Sequence, residues 1–444
     1  MRVLLISPGR DADYAERIGF AFKLPPLGLA TVAALTKPEI DVKILDEHVE
    51  KINYDDGADL VGISVMTAVA PRAYRIAERF RSRGAKIVMG GPHPSVLPEE
   101  ALQHCDAVVV GEAEGSWQQL IEDFQANRLQ KIYRNAEPPS LVGLPEPRRD
   151  LYKKWTYFVR NSMQTTRGCP YNCSFCSVSG VFGRQYRSKP VEDIVRSIEF
   201  MKAGFVGFID DNIAGNKKYS KELFKALIPL KIRWAGQSSV NIADDLELLQ
   251  LAKKSGCTGL FMGFETVSTQ SLGEIGTSKN KIEEFKRNVK RLHDHGIVVL
   301  GAFVFGFDSD DKDVFKRTVD FIYDAKIDLA QFTNLTPLPG THLHKKLLSE
   351  NRIIDTDWRK YDTENVVFKP AQMSVDELQE GSGWAWREFY SRGSIIRRML
   401  GTRFDIIRTA LYTVPLIIMN FGFKKVLDFD AAAGRKLLKA DKKK

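Results

Sequence analysis

Five cysteines occur in 444 residues, and three of them fall within eight: Cys169-Pro-Tyr-Asn-Cys173-Ser-Phe-Cys176. The spacing CxxxCxxC gathers three thiolates in one short loop, a donor set suited to an iron–sulfur cluster or to zinc. A structural zinc ion takes four ligands, and no nearby His or Cys completes the set. Three thiolates on a four-iron cluster leave one iron open for a substrate. Cys105 and Cys257 stand alone, so the cysteines do not read as a disulfide framework. A reducing cytoplasm is the expected compartment, because the apolar run in MRVLLISPGR is too short for a secretory signal.

Other polar residues follow short apolar runs. Asp210, Asp211 and Asn212 come after the run 206–209, and their oxygens can accept from an ammonium group. A strand-end turn is their plainer role. Glu265 follows the run 259–262, where a bond to a ligand amine or hydroxyl competes with a simple ion pair at a barrel mouth.

The elements that must position these residues alternate regularly. In the first 125 or so residues, apolar runs at 3–6, 42–45, 60–65, 86–89 and 107–110 are separated by helical patterns at 27–35, 71–83 and 116–125. Such βαβ alternation predicts a doubly wound parallel sheet. Its runs end in small-residue loops: Ser7-Pro8-Gly9, Ser64-Val65-Met66-Thr67, Gly90-Gly91-Pro92-His93 and Gly111-Glu112. Ligands of open parallel sheets bind at these strand ends. After a proline-bearing stretch at 135–149, runs at 162–165, 206–209, 232–236, 259–262, 298–305 and 330–335 predict a partial (β/α)6 barrel, with its chemistry at the C-terminal strand ends. The expected domains are a doubly wound unit at 1–134, a linker at 135–155, the barrel at 156–345 and a helical, basic region at 346–444.

Gln164-Thr-Thr-Arg-Gly-Cys169, with Phe175 ahead of the last cysteine, closely resembles the radical S-adenosylmethionine (SAM) superfamily. The resemblance implies that Cys169, Cys173 and Cys176 hold a [4Fe–4S] cluster whose open iron chelates SAM. One electron then cleaves SAM to a 5′-deoxyadenosyl radical, which abstracts a substrate hydrogen. It further implies SAM contacts at Asp210, Asp211 and Asn212, where the family usually has a GGE motif that this chain lacks. It places others at Gly263 and Glu265, and near adenine at Gly301 and Gly306. That last segment lacks the family's usual downstream Glu. Leu335-Thr-Pro-Leu-Pro-Gly-Thr341 resembles the family's sixth-strand turn.

Residues 1–125 resemble the cobalamin-binding domain that precedes many radical SAM barrels, on Pro25-Pro26-Leu27-Gly28-Leu29, Gly90-Gly91-Pro92-His93-Pro94 and Val110-Gly111-Glu112. This implies cobalamin contacts at Pro8, Gly9, Ser64, Gly90, Gly91, His93, Gly111 and Glu112. A loop role bonded to backbone is the other reading of His93. The cobalt-ligating DxHxxG of mutase-type domains is absent from Ser7-Pro-Gly-Arg-Asp-Ala-Asp13. Asp46-Glu47-His48 mimics part of it after the second run, with Lys51 in the glycine place, and His48 is expected to be a surface loop residue. Both domains together imply a class B radical SAM enzyme. Its usual reaction is cobalamin-dependent methylation of an unactivated carbon, and an external flavodoxin- or ferredoxin-type donor supplies the electron. Cyclisation, C–C bond formation, oxidation or tRNA modification are the alternative outcomes.

The net charge of +9 resides in the tail: residues 391–444 carry 13 Lys/Arg and 4 Asp/Glu, which leaves the rest neutral. No nucleic-acid partner is expected from a neutral body. Residues 410–423 are densely apolar but short, and Pro415 interrupts them. Arg397, Arg398, Arg403, Arg408, Lys424, Lys425 and the terminal Lys442, Lys443 and Lys444 flank them. An apolar stretch with basic edges predicts peripheral contact with the anionic inner face of a membrane, and hence a hydrophobic lipid or isoprenoid substrate. A helix packed on the barrel is the alternative.

Overall fold

Val3 and Leu5 project to one side of the first strand and Leu4 and Ile6 to the other, and all four are buried in separate apolar clusters. A strand covered on both faces reads as a continuous apolar run rather than as an alternation. In the computed structural model, which describes residues 1–10, 24–153, 157, 159–276, 282–401 and 419–424, this is β1, Arg2–Ser7. It lies inside a parallel sheet with β2 (Asp41–Asp46), β3 (Leu60–Ser64), β4 (Lys86–Gly90), β5 (Ala107–Val110) and β6 (Ile132–Arg134), in the order β2-β1-β3-β4-β5-β6. The order reverses between β1 and β3, so the loops leaving them part and open a crevice at the C-terminal strand ends. Trp117 seals the lower part of this sheet. Its ring lies over Gly62, and its indole N–H donates to Thr36 at 2.9 Å.

The second sheet is the expected partial barrel. It runs β7 (Ser162–Met163), β10 (Phe205–Phe208), β11 (Arg233–Ser239), β12 (Cys257–Glu265), β13 (Val298–Phe305) and β14 (Leu329–Asn334), all parallel and in sequence order. Phe264, Phe303 and Phe332 face the surrounding helices and stack in series. The first barrel strand, Ser162–Met163, is shorter than the expected 162–165. The chain turns away to form β8 (Thr166–Arg167), which pairs antiparallel with β9 (Arg187–Ser188) and brackets the cysteine loop. Neither β8 nor β9 has an apolar run, so neither is predicted from sequence.

A partial barrel leaves an edge, and exposed edges recruit foreign strands. Here the helix Val375–Phe389 covers it. Trp386 donates to the Phe332 carbonyl at 2.9 Å. The Tyr390 hydroxyl accepts from the Ala330 N–H at 3.2 Å and donates to the Ala330 carbonyl at 2.7 Å. Arg398 bonds the Asp328 and Phe389 carbonyls, so it is a structural residue and not a membrane contact. Residues 402–418 and 425–444, which hold most of the expected membrane segment, lie outside the described residues. At its end, Phe423 packs on Trp386 and Tyr390. Among the described residues no helix is long and apolar enough to cross a membrane. Tyr390→Phe strands two buried backbone groups and should cost about 1–3 kcal/mol, read as a lower denaturant midpoint. An unchanged midpoint would contradict the edge-capping role.

Candidate functional site

The cysteine loop begins where β8 ends. Gly168 takes a left-handed φ of +82°, and a Cβ there would sit 2.2 Å from the Gln185 carbonyl, so only glycine makes this turn. Barrel residues tie the loop down. Ser174 donates its N–H to Ile275 at 3.1 Å and accepts from Leu343 at 2.9 Å, and Phe175 packs against Phe307. Cys169, Cys173 and Cys176 are free thiols, half-buried and close enough to influence one another. Burial, then their mutual repulsion, pushes Cys173 up to about 12; burial raises Cys176 to about 11. Thiols so placed favour ionisation only against a bound positive centre. Among the described residues no three His, Cys, Asp or Glu side chains converge tightly enough for a single metal ion. Three thiols without a fourth His or Cys beside them in sequence suit a cluster with one open iron better than a four-ligand zinc site.

Asp210, expected to face the SAM amine, is fully buried and committed elsewhere. One carboxylate oxygen accepts from the N–H and hydroxyl of both Thr165 and Thr166, at 2.5 to 2.9 Å. It clamps the strand that launches the cysteine loop. Asn212 is likewise a strand-end brace, since its side-chain oxygen accepts from Ala214 and Ser239 at 3.3 and 3.2 Å. Asp211 differs. Asp210 and Asp211 each have one buried oxygen without a partner, but the Asp211 carboxylate makes no hydrogen bond among the described residues, and burial followed by Asp210 raises it to about 6. Glu265 ends β12 at a bulge with φ +65°, and its carboxylate folds back where a Gly263 Cβ would be, 2.0 Å away. It makes no hydrogen bond among the described residues, and burial raises it to about 7. Both carboxylates lie near the cysteines, since Asp211 bears on Cys169 and Cys176, and Glu265 on Cys173 and Cys176. Two unpartnered carboxylates beside an open metal position suit a ligand carrying an ammonium group.

Gly301 and Gly306 do not face this space. A Cβ on Gly301 would meet Phe303, Phe264 and Ile327 at 3.0 to 3.3 Å, in the outer layer where the aromatic stack leaves no room. Gly306 forms a left-handed turn beneath Leu378 and Phe368 of the C-terminal region.

Opposite the cysteine loop, the C-terminal ends of β1, β3, β4 and β5 face the barrel. A cavity of about 320 Å³ lies between, lined by Gly28, Ser64, Gly90, Gly91, Gly111 and Glu112 on one side and by Met163, Gln164 and Arg167 on the other. Side chains at Gly28 or Gly111 would project into open space, so these glycines hold the cradle clear. A second cavity of about 360 Å³ shares Ser64, Pro92 and Val181 with the first and includes Pro8, His48, Met66 and Leu338. The glycine cradle and the paired cavities fit a large planar cofactor. Gly9 braces the β1 loop by donating to Glu47 at 2.9 Å. His48 lies in the turn after β2 with its side chain 38% exposed, and it also lines the second cavity, with Nδ1 2.8 Å from Asp46. The loop stretch Asp11 to Asp13 lies outside the described residues. His93 lines neither cavity. It is fully buried, with Nε2 3.1 Å from the Tyr74 hydroxyl and 3.3 Å from Glu100, its ring edge-on to Trp358.

Glu112 lines the cradle, but its carboxylate is spent on Arg167 and Arg187, and Glu114 also pairs with Arg167 at 2.5 Å. Sequence reasoning missed Arg167, Arg187 and Glu114. The signal available was an arginine inside the motif ending at Cys169 and a second acid two residues after Glu112. Asp210→Ala releases four donors at the root of the cysteine loop. It should lower the iron retained after anaerobic reconstitution severalfold, whereas Asp211→Ala should retain it. Equal iron in both variants would contradict the clamp.

The family model described as the Radical SAM superfamily matches residues 163–322, and the B12 binding domain model matches 17–121. The chain is 33% identical to bacteriochlorophyllide d C-12(1)-methyltransferase of Chlorobaculum tepidum, over 85% of each chain. It is 32% identical to the same organism's bacteriochlorophyllide d C-8(2)-methyltransferase, over 90% of this chain and 91% of that one. Hopanoid C-2 methylase of Rhodopseudomonas palustris is 29% identical over 76% of this chain and 67% of its own. In fold, it matches the radical SAM methyltransferase TsrM of Kitasatospora setae, solved with cobalamin and a [4Fe–4S] cluster, with a TM-score of 0.71 at 14% identity over 98% of this chain and 99% of that one. Both cofactor domains and near full-length relatives agree with the site: the chain is a radical SAM enzyme of the cobalamin-dependent methyltransferase family, with a [4Fe–4S] cluster, SAM and cobalamin as its cofactors.

Proposed function

We propose that this enzyme transfers a methyl group to an unactivated carbon of a hydrophobic, polycyclic small molecule. The observation that carries the reading is the pair of adjacent cavities, sharing Ser64, Pro92 and Val181, between the strand ends of both sheets. A methyl donor and a hydrogen-abstracting centre can then act on one substrate without its leaving the protein. The second cavity presents Met66, Val69, Val96, Val181, Leu338 and Pro339, which favours an apolar ligand. Relatives named for methylating bacteriochlorophyllides and hopanoids support the same class.

When bound, the cluster and SAM supply a radical that removes a substrate hydrogen, and cobalamin supplies the methyl group. Cys169, Cys173 and Cys176 would hold the cluster. Glu265 and Asp211 accept from the SAM ammonium, and binding that cation offsets the cost of their burial. Pro8, Ser64, Gly90, Gly91 and Gly111 line the cobalamin side. Walls from both domains exclude water from the reacting carbon. The electron comes from a flavodoxin- or ferredoxin-type donor. The basic tail, with Arg403, Arg408 and the terminal lysines, draws the enzyme to anionic lipid where an apolar substrate resides.

The test is anaerobic turnover with trideuteromethyl-labelled SAM and two probes, a bacteriochlorin-type tetrapyrrole and a polycyclic triterpenoid. A labelled product from either, with S-adenosylhomocysteine and 5′-deoxyadenosine in equal amounts, is expected. 5′-Deoxyadenosine without S-adenosylhomocysteine would favour cyclisation or oxidation instead. Replacing all three loop cysteines with Ala should abolish 5′-deoxyadenosine, and Glu265→Gln should weaken SAM binding about tenfold; full activity in either would contradict the assignment. Full-length protein should pellet with anionic vesicles, and a variant with Gln at Arg403, Arg408, Lys442, Lys443 and Lys444 should not. Equal pelleting would remove the membrane contact.

A further inference from the structure

The wall of the 320 Å³ cavity carries more positive than negative charge. Arg149, Arg167 and Lys189 line it, and Arg187 stands beside them. Glu112 takes Arg167 and Arg187, Glu114 takes Arg167, and Glu146 lies 3.5 Å from Arg149. Four cations thus face three carboxylates. The ammonium of Lys189 is the one left over, with no ion pair or hydrogen bond among the described residues. Arg149 is only partly used: one NH2 group donates to the Ser162 carbonyl at 2.9 Å, while its Nε–H is buried without a partner. A half-buried ammonium and a buried guanidinium N–H, both unpaired, are costly unless an anion arrives. Burial and the neighbouring Arg167 already press Lys189 below the usual lysine range.

The same cavity has an apolar wall, with Leu5, Val88, Val109 and Trp117 on the sheet side. The site therefore suits one molecule with a flat apolar end joined through a singly charged anionic neck. Cobalamin has such a part, since its aromatic base is attached through a phosphodiester.

We propose that Lys189, with the Nε–H of Arg149, binds the phosphodiester of cobalamin's nucleotide loop, so that the barrel as well as the N-terminal sheet grips the cofactor. Lys189 follows β9 directly, and Arg149 bonds the first residue of β7. Loading the cofactor thereby fastens the two sheets together across the site. The proposal rests on cobalamin occupying this cavity.

The test is optical titration of the full chain, cluster reconstituted, with cobalamin and with cobinamide, which lacks the phosphate and the base. Lys189→Met should weaken cobalamin binding roughly ten- to a hundredfold and leave cobinamide binding unchanged. Lys189→Arg should restore most of the affinity. Without cofactor, Lys189→Met should melt no lower than wild type, because it removes an uncompensated charge. Unchanged cobalamin affinity, equal losses for both ligands, or a lower melting temperature without cofactor would each overturn the proposal. Lost substrate affinity with intact cobalamin affinity would overturn it too and give the anion site to the substrate. Failure of the wild type to bind cobalamin at all would instead sink the cofactor reading of the cavity.

Discussion

One buried guanidinium connects the two halves of this enzyme. Arg167 lies two residues before Cys169, yet its partners, Glu112 and Glu114, belong to the strand-end loop of the N-terminal sheet. The two carboxylates keep it charged despite burial. Such clusters contribute little net stability, because desolvation consumes most of the Coulomb gain. Their value lies in geometry, since an arginine fork accepts carboxylates in only a few orientations. Arg187, at the other side of the small ribbon, bonds the same Glu112. The ribbon that brackets the cluster loop is therefore positioned against the cobalamin cradle by ion pairs.

Within the barrel, function is separated from support by single positions. Asp210 and Asp211 are neighbours, but alternation along an extended chain sends one into a four-bond clamp and leaves the other facing the cysteines. Gly263 and Gly301 divide in the same way. The first leaves room for the Glu265 carboxylate, and the second leaves room for an aromatic stack.

Much of this was legible in the sequence. The three cysteines, the strand–helix alternation of both domains and the glycine-rich strand ends follow from spacing and periodicity alone. What sequence could not decide was the direction of individual side chains. His93 looks like a cavity residue because it follows two glycines, but it turns inward to Tyr74 and Glu100. His48 is a partly exposed turn residue, and sequence gives no sign that its ring also lines a cavity. The ribbon of β8 and β9 is invisible to periodicity, because short polar strands carry no apolar signal. The cation surplus around Lys189 is a tertiary fact, assembled from segments that are neutral or unremarked when read singly.

The central claim is that cluster and cobalamin sit across one interface, held at a fixed separation. Electron paramagnetic resonance of the cob(II)alamin state tests it directly, recorded with the cluster diamagnetic and again with the cluster reduced and paramagnetic. The account predicts a cob(II)alamin signal that broadens and relaxes faster when the cluster is reduced, with the effect weakened in Arg167→Ala. Identical cob(II)alamin signals in both cluster states would contradict it.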